Sequence, residues 1–224
     1  LLRHADRDPI PQDVHHAEIL LNLAGRANAK AFGQTLRQYP ALGLVSSPVG
    51  RCIETAECIA TAHGNASMLR ISALLGEPGP FVHDRDAAKA HFPRLGNKGI
   101  IKALANGQSL QGMHSLQEGT ANLLRFMDQA GKTSNADTPV IMVTHDVIVA
   151  AVIAAIFDVD HALSTWPCFL EALTLSRNTD GYLLSWRDRS LKIADSFWKP
   201  ASNSIEQNHS SQSHTVENLP PRFG

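Results

Sequence analysis

The chain has 224 residues, which is enough for one sizeable hydrophobic core, and we expect a single α/β domain at this length. Its 20 Lys and Arg residues nearly balance 21 Asp and Glu residues. This balance excludes the overall positive charge that is typical of nucleic-acid-binding proteins, so any anion site must be local. The longest apolar run, residues 147–157, is shorter than the roughly 20 residues that span a bilayer. We therefore expect a buried helix there and no membrane partner.

The three cysteines, Cys52, Cys58 and Cys168, form no C-x-x-C motif and cannot all pair with one another. Such cysteine usage favours a reducing compartment over a disulfide scaffold, so the expected location is the cytoplasm. The chain begins at Leu1 without a methionine, and a trimmed start with a removed signal segment stays compatible with that sequence.

The first half of the chain alternates short apolar runs with helical patterns. A very short apolar start leads into the segment "RHADR", and Asn22 is a plausible N-cap of a helix that ends before Pro40. The run "LGLVSS" predicts a strand. The segment after it has apolar residues at helical spacing as far as Gly64.

The second half continues this alternation. Ser115 and Glu118 form a capping box for a helix that closes at Gly131, and "PVIMVTHD" predicts a strand buried on both faces ahead of the apolar helix. An Asp180-Gly181 turn between alternating runs predicts a β-hairpin at one edge of the sheet. These elements predict one α/β domain over residues 1–200, with a mostly parallel sheet and helices on both faces. Residues 201–224 are polar and predict a disordered tail.

Three polar segments each follow a predicted strand: "RHADR" at residues 3–7, "SSPVGR" at 46–51 and "THD" at 144–146. Because ligands bind at the carboxyl ends of strands in open α/β sheets, we expect these segments to converge. Guanidinium groups match phosphate oxygens bidentately, and a helix N-terminus after Ser47-Pro48 would add backbone N–H donors. Each segment alone is compatible with an ordinary surface or helix start, whereas the three together predict a phosphoryl-binding site.

The chain resembles the histidine phosphatase superfamily, the phosphoglycerate-mutase-like proteins, and this resemblance covers most of residues 1–198. The family motif R-H-G-x-R is matched by residues 3–7, with Ala5 in place of the usual glycine. The motif L-T-x-x-G is echoed by residues 21–25, S-S-P-x-x-R-x-x-x-T-A is matched by residues 46–56, and the second family histidine is matched by His145. The implied fold is a three-layer sandwich of this family.

The resemblance implies a phosphatase that hydrolyses a phosphomonoester through a phosphohistidine, without a metal or another cofactor. His4 would be the nucleophile, and flanking cations would keep its ring neutral. The residues that would bind the phosphoryl group are Arg3, Arg7, Arg51 and His145. Two carboxylates compete as proton donor: Asp146, which we favour because it follows His145 directly, and Glu77, near where another branch of the family places a glutamate.

Residues 76–114 are the least regular part of the sequence, and an insertion at this place covers the site in related proteins. We expect a lid here, whose basic residues would suit a polyanionic substrate, although a solvated surface is an equal alternative. The partner would be a phosphorylated small molecule or phosphoprotein. Two other functions stay open: a phosphoryl-transfer mutase with the same pocket, and a non-catalytic domain that binds a phosphoanion for regulation.

Overall fold

A four-stranded parallel sheet forms the centre of the protein. The structure is a computed structural model that describes residues 1–10, 18–134, 137–178 and 181–193. The strands are β1 (Leu2–Arg3), β2 (Gly43–Ser46), β3 (Arg70–Ile71) and β4 (Val140–Thr144), in the order β1-β4-β2-β3. In this order β4 lies between β1 and β2, so a strand from far along the chain separates two strands that are consecutive in the sequence.

Helices cover both faces of this sheet, as the sequence predicts. Along β2, Leu44 belongs to a core with helices α1 (Leu23–Thr35) and α2 (Gly50–His63). Its neighbour Val45 belongs to the opposite core, which contains the helices α4 (His91–Ala105), α5 (Leu116–Lys132) and α6 (Asp146–Ile156). Successive side chains of a strand point to opposite faces, so one short apolar strand supplies two cores. The α/β fold with helices on both faces is confirmed.

The caps explain where the helices begin and end. The side chain of Asn22 accepts a hydrogen bond from the backbone N–H of Gly25 at 2.8 Å and caps α1. Gly64 ends α2 in the left-handed conformation, with φ of 89°. Ser115 and Glu118 form both hydrogen bonds of the predicted capping box at the start of α5. The predictions for these three helices are confirmed, apart from one extra residue at the end of α5.

The predicted antiparallel hairpin is present, but it is part of a larger unit. Strands β5 (Thr174–Asn178), β6 (Gly181–Trp186) and β7 (Arg189–Ile193) form a separate three-stranded antiparallel sheet. It follows the edge of the central sheet, where Ala172 makes an antiparallel bridge with Leu2. The third strand was not predicted. The tip of the turn at Asp180 and the predicted tail at 201–224 lie outside the described residues.

The segment 76–114 is more regular than its sequence suggests. It contains the short helix α3 (Arg85–Lys89) and the longer α4, which is interrupted at Gly96, where φ is 62° and ψ is 173°. A further short helix, α7 (Val159–Ser164), follows α6. In the part of the chain that the structure describes, every helix is too short or too polar to cross a membrane.

Candidate active site

Three strand ends bring the predicted site residues together. In the parallel register Arg3 lies opposite Thr144, and Ser46 lies opposite Val143. The residue after each of these strands is therefore at the same edge of the sheet. This edge holds His4 after β1, Ser47 after β2 and His145 after β4.

The hydrogen bonds of His4 define its tautomer. Its Nδ1 lies 2.8 Å from the backbone oxygen of Ala5, which can only accept, so Nδ1 carries the proton. Its Nε2 accepts a hydrogen bond of 3.0 Å from Nε of Arg51. The lone pair of the ring is therefore on Nε2, where it accepts from a permanent cation, and this nitrogen can attack an electrophile once that hydrogen bond is released.

Burial, more than the neighbouring cations, keeps His4 neutral. The side chain is 2% exposed, and this burial lowers its pKa to about 3. Arg51 and Arg3 lower the pKa further, whereas the Ala5 carbonyl and Asp146 act in the opposite direction. The sequence predicts a neutral ring because of the flanking cations, and the lowered pKa agrees in direction. The main cause, however, is burial of the ring.

His145 is held from both ring nitrogens. Its Nδ1 lies 3.1 Å from the guanidinium of Arg51, and its Nε2 lies 2.9 Å from the hydroxyl oxygen of Ser47. Since the guanidinium can only donate, Nδ1 is an acceptor and the proton is on Nε2. Arg51 thus bridges the two histidines, whose ring centres are 5.7 Å apart. An anion that binds this guanidinium would therefore also lie near both histidine rings.

Gly76 packs directly against His145. A Cβ atom at this glycine would lie 2.5 Å from Nε2 of His145 and 2.6 Å from the hydroxyl oxygen of Ser47. Its φ of 146° is also one that other residues rarely adopt. The close approach of this backbone therefore requires glycine, and it restricts the orientation of the His145 ring.

Asp146 is engaged with donors on both carboxylate oxygens. One oxygen lies 3.1 Å from the guanidinium of Arg3, and the other accepts a hydrogen bond of 2.8 Å from the backbone N–H of Val147. Burial raises the pKa of Asp146, but Arg3, the side chain of Trp166 and the Val147 N–H together lower it below its usual value. The carboxylate is therefore ionised in this arrangement.

Arg3 lies beneath this carboxylate. Its guanidinium also donates to the backbone oxygen of Pro167 and stacks over the ring of Phe169 at 4.0 Å. Arg3 is not among the residues that line the adjoining cleft. Its guanidinium is instead paired with the carboxylate of Asp146. A role for Arg3 in binding phosphate stays a prediction.

A cleft of about 650 Å³ opens at this edge of the sheet. Of the predicted site residues, those that line it are His4, Arg7, Arg51, Glu77, His145 and Asp146. Arg7 lines the cleft, and its Nε is buried without a hydrogen-bond partner among the described residues. A buried, unsatisfied donor is costly unless a ligand pairs with it, which favours an anion in the cleft.

Glu77 has an unusual backbone conformation. Its φ is 59°, in the left-handed region that residues other than glycine rarely adopt, and such strain is found disproportionately at functional sites. The carboxylate pairs with the guanidinium of Arg85 at 2.5 Å. The side chain of Glu77 is 33% exposed and that of Arg85 is 61% exposed, so this ion pair is weakened by solvent.

Three contact residues of the site were missed in the sequence: Ser47 as a partner of His145, and Trp166 and Phe169 around Asp146 and Arg3. Ser47 lies within a predicted motif, and its position at a strand end was the available signal. Trp166 and Phe169 come from a loop far along the chain, and no local pattern points to them. Within the described ranges, no cluster of three or more His, Cys, Asp or Glu side chains could hold a metal ion.

Comparison with known proteins identifies the family. Residues 1–177 match the sequence model of the histidine phosphatase superfamily, branch 1. The chain belongs to this superfamily. The expected phosphoglycerate-mutase-like fold of the superfamily is thereby confirmed. No curated protein sequence is significantly similar to the chain.

Solved structures with this fold include several phosphatases. The chain is 19% identical to a mycobacterial glucosyl-3-phosphoglycerate phosphatase, with a TM-score of 0.56, over 83% of this chain and 95% of that one. It is 17% identical to the phosphoserine phosphatase of Entamoeba histolytica, a variant of which was solved with phosphoserine, with a TM-score of 0.52, over 82% and 92% of the two chains. At these identities the likeness shows a shared fold.

Proposed function

We propose that the protein is a phosphatase that hydrolyses a phosphomonoester through a phosphohistidine at His4. The observation that carries this proposal is the protonation pattern of His4: a buried neutral ring, a proton on Nδ1 and a lone pair on Nε2 beside Arg51. A nucleophilic nitrogen within hydrogen-bond distance of an anion-binding cation is the arrangement that attack on phosphorus requires. Membership of the superfamily supports the same chemistry.

The reaction then has two displacements at phosphorus. In the first, Nε2 of His4 forms a bond to phosphorus, the ester P–O bond breaks, and the leaving oxygen takes a proton from an acid. In the second, water attacks phosphorus, the P–N bond breaks and phosphate leaves, while the proton lost by water returns to that acid. Arg51 and Arg7 pair with phosphoryl oxygens in both steps, and the ring of His145 lies beside Arg51 at the same site.

Glu77 is the proton donor that the contacts favour. The sequence argument preferred Asp146 because of its place after His145. In the structure, however, one oxygen of Asp146 pairs with Arg3 and the other accepts a hydrogen bond from the Val147 N–H. Its pKa is lowered, so at neutral pH this carboxylate is ionised and holds no proton to donate. Glu77 lines the cleft from a strained backbone position and has a weaker, solvent-exposed partner.

Leaving groups of different quality test this assignment. An alkyl phosphate needs its oxygen protonated on departure, whereas nitrophenolate departs without help. Loss of the acid costs a factor of about 10² to 10⁴. Glu77→Gln should therefore slow an alkyl phosphate far more than nitrophenyl phosphate, and Asp146→Asn should slow both by similar factors. A leaving-group-dependent loss in Asp146→Asn alone would return the acid role to Asp146.

We further propose that the reaction needs no metal ion, because the guanidinium groups of Arg51 and Arg7 supply the positive charge that a cation would otherwise supply. Dialysis against a strong chelator should leave the rate of nitrophenyl phosphate hydrolysis unchanged. A loss of activity that added Mg²⁺ or Zn²⁺ restores would contradict this part of the proposal.

The phosphoenzyme is the decisive intermediate. Acid-labile, base-stable label should be trapped on the wild-type protein from a labelled substrate, and His4→Ala should lack it. Lys30→Ala, on the exposed side of α1, is a matched control that should retain the label. Label that persists in His4→Ala would refute the nucleophile. Transfer of the label to a second hydroxyl instead of water would identify a mutase, and tight phosphate binding without label would identify a non-catalytic domain.

A further inference from the structure

The cleft is much larger than a phosphoryl group needs. Its volume of about 650 Å³ lies within the range of pockets that enclose whole small molecules. His4, Arg51 and His145 line it where the three strands finish, and charged residues of α3 line it as well. The rest of the lining is mostly apolar and comes from the segment before α3, from α4 and from α6, including Phe81, Val82, Phe92, Ile100, Leu104 and Ile148.

Phe92 continues this wall to the surface. It lies near the start of α4 and is 40% exposed, while Ile100 and Leu104 further along the helix are 4% and 5% exposed. A single exposed aromatic side chain is common on protein surfaces. Phe92 is informative because it lines the same cleft as the buried residues, so that one apolar surface extends from the core to the rim.

The basic residues of the segment 76–114 do not make the cleft a polyanion site. The ammonium of Lys98 donates to the backbone oxygen of Leu163, and the guanidinium of Arg94 contacts His91. Neither cation lines the cleft. Arg85 and Lys89 line it together with two carboxylates, those of Glu77 and Asp86. Among the described lining residues, these two cations and two carboxylates therefore add no net charge to that of the phosphoryl site.

From this division we infer that the substrate is a small phosphomonoester with an apolar leaving group, an alkyl or aryl alcohol whose hydrocarbon part lies against the wall formed by α4 and α6. This inference rests on the proposed function, because the phosphoryl group must occupy the site of His4 and Arg51 for the leaving group to reach the wall. Phe92 is then a specificity-determining residue at the rim.

A homologous series of n-alkyl phosphates, from ethyl to octyl, measures the apolar contact directly. Burial of each methylene group should raise kcat/KM about fourfold until the cleft is full. Phe92→Ala should lower kcat/KM for octyl phosphate about tenfold more than for ethyl phosphate. Met68→Ala, which removes a side chain 87% exposed and outside the cleft, is the matched control and should leave the whole series unchanged.

A flat response to chain length would overturn the inference, as would a preference for a phosphopeptide or a bisphosphate over octyl phosphate. Calorimetric titration with n-alkyl phosphonates, which have no ester bond to hydrolyse, separates this inference from the proposed function. If the affinity for the phosphonates rises with chain length but the protein hydrolyses none of the phosphate esters, the proposed phosphatase activity is wrong and the apolar binding site is supported. Hydrolysis of all the esters at equal kcat/KM, with phosphonate affinity independent of length, would refute the apolar site and retain the phosphatase.

Discussion

Lowering the pH should destabilise the protein through His4. In the unfolded chain this imidazole takes up a proton near pH 6.5, whereas in the folded protein burial lowers its pKa to about 3. Between these two values the unfolded state binds one more proton than the folded state, so the free energy of unfolding rises with pH. The free energy of unfolding therefore begins to fall as the pH drops below about 6.5, and the contribution of His4 is fully lost only near pH 3.

The size of the effect follows from the same two pKa values. The slope reaches at most about 1.4 kcal/mol per pH unit, and its integral from pH 7 to pH 5 is about 2 kcal/mol. Urea unfolding of the wild type and of His4→Gln, at both pH values in phosphate-free buffer, isolates this contribution. All other groups titrate in both proteins, so the pH-dependent loss should be about 2 kcal/mol smaller in the variant.

Equal losses in the two proteins would refute the reasoning. They would mean that His4 is protonated in the folded state at pH 5, and hence that burial does not hold the ring neutral. A loss in wild type that is smaller than in the variant would be a stronger contradiction, because it would indicate that neighbouring acidic groups stabilise a charged imidazole. Either result would also remove the main support for Nε2 as a nucleophile.

Two substitutions test the geometry around the nucleophile. Gly76→Ala should displace the His145 ring and lower kcat about 10²-fold. Gly131→Ala, at a position with open space around its Cβ, should retain activity, and equal rates for the two variants would contradict the close packing. Arg51→Ala should lower kcat/KM about 10² to 10³-fold and weaken inhibition by phosphate, with only partial recovery in Arg51→Lys, which lacks the contact to His4. Unchanged phosphate inhibition would count against this pocket.

Local patterns sufficed for the elements around the sheet. The apolar run of β4 and the caps at Asn22 and Ser115 are short-range signals, and the structure has the corresponding strand and helices. The helical character of residues 85–105 was missed because Pro93, Gly96 and Gly99 interrupt the pattern. Each of these residues lowers helix propensity, and the helix does break at Gly96. The turns after Gly96 form because their apolar residues pack in the core.

The site was predictable where motifs end strands and unpredictable where distant segments meet. The register of β1 and β4 makes it possible to place His4 near His145 from the sequence. The environment of Asp146 was not accessible in this way, because its neighbour Trp166 comes from a loop outside any motif. The preference for Asp146 as proton donor therefore relied on adjacency in the sequence, which contains no information about how many donors surround a carboxylate.

The interruption of α4 at Gly96 has a consequence for how this fold can diversify. Residues after Gly96 pack in the core with α6, while Phe92 lies before it at the rim of the cleft. The chain changes direction at Gly96, where φ is 62°. No neighbouring atom lies within 4 Å of a Cβ built at this glycine, so no contact at this position fixes the bend. The rim can therefore accumulate substitutions that alter ligand preference while the hydrophobic interior stays intact. Phe92 is therefore open to selection on ligand preference alone, whereas Ile100 and Leu104, which line the cleft and pack in the core, are subject to selection on both ligand preference and folding.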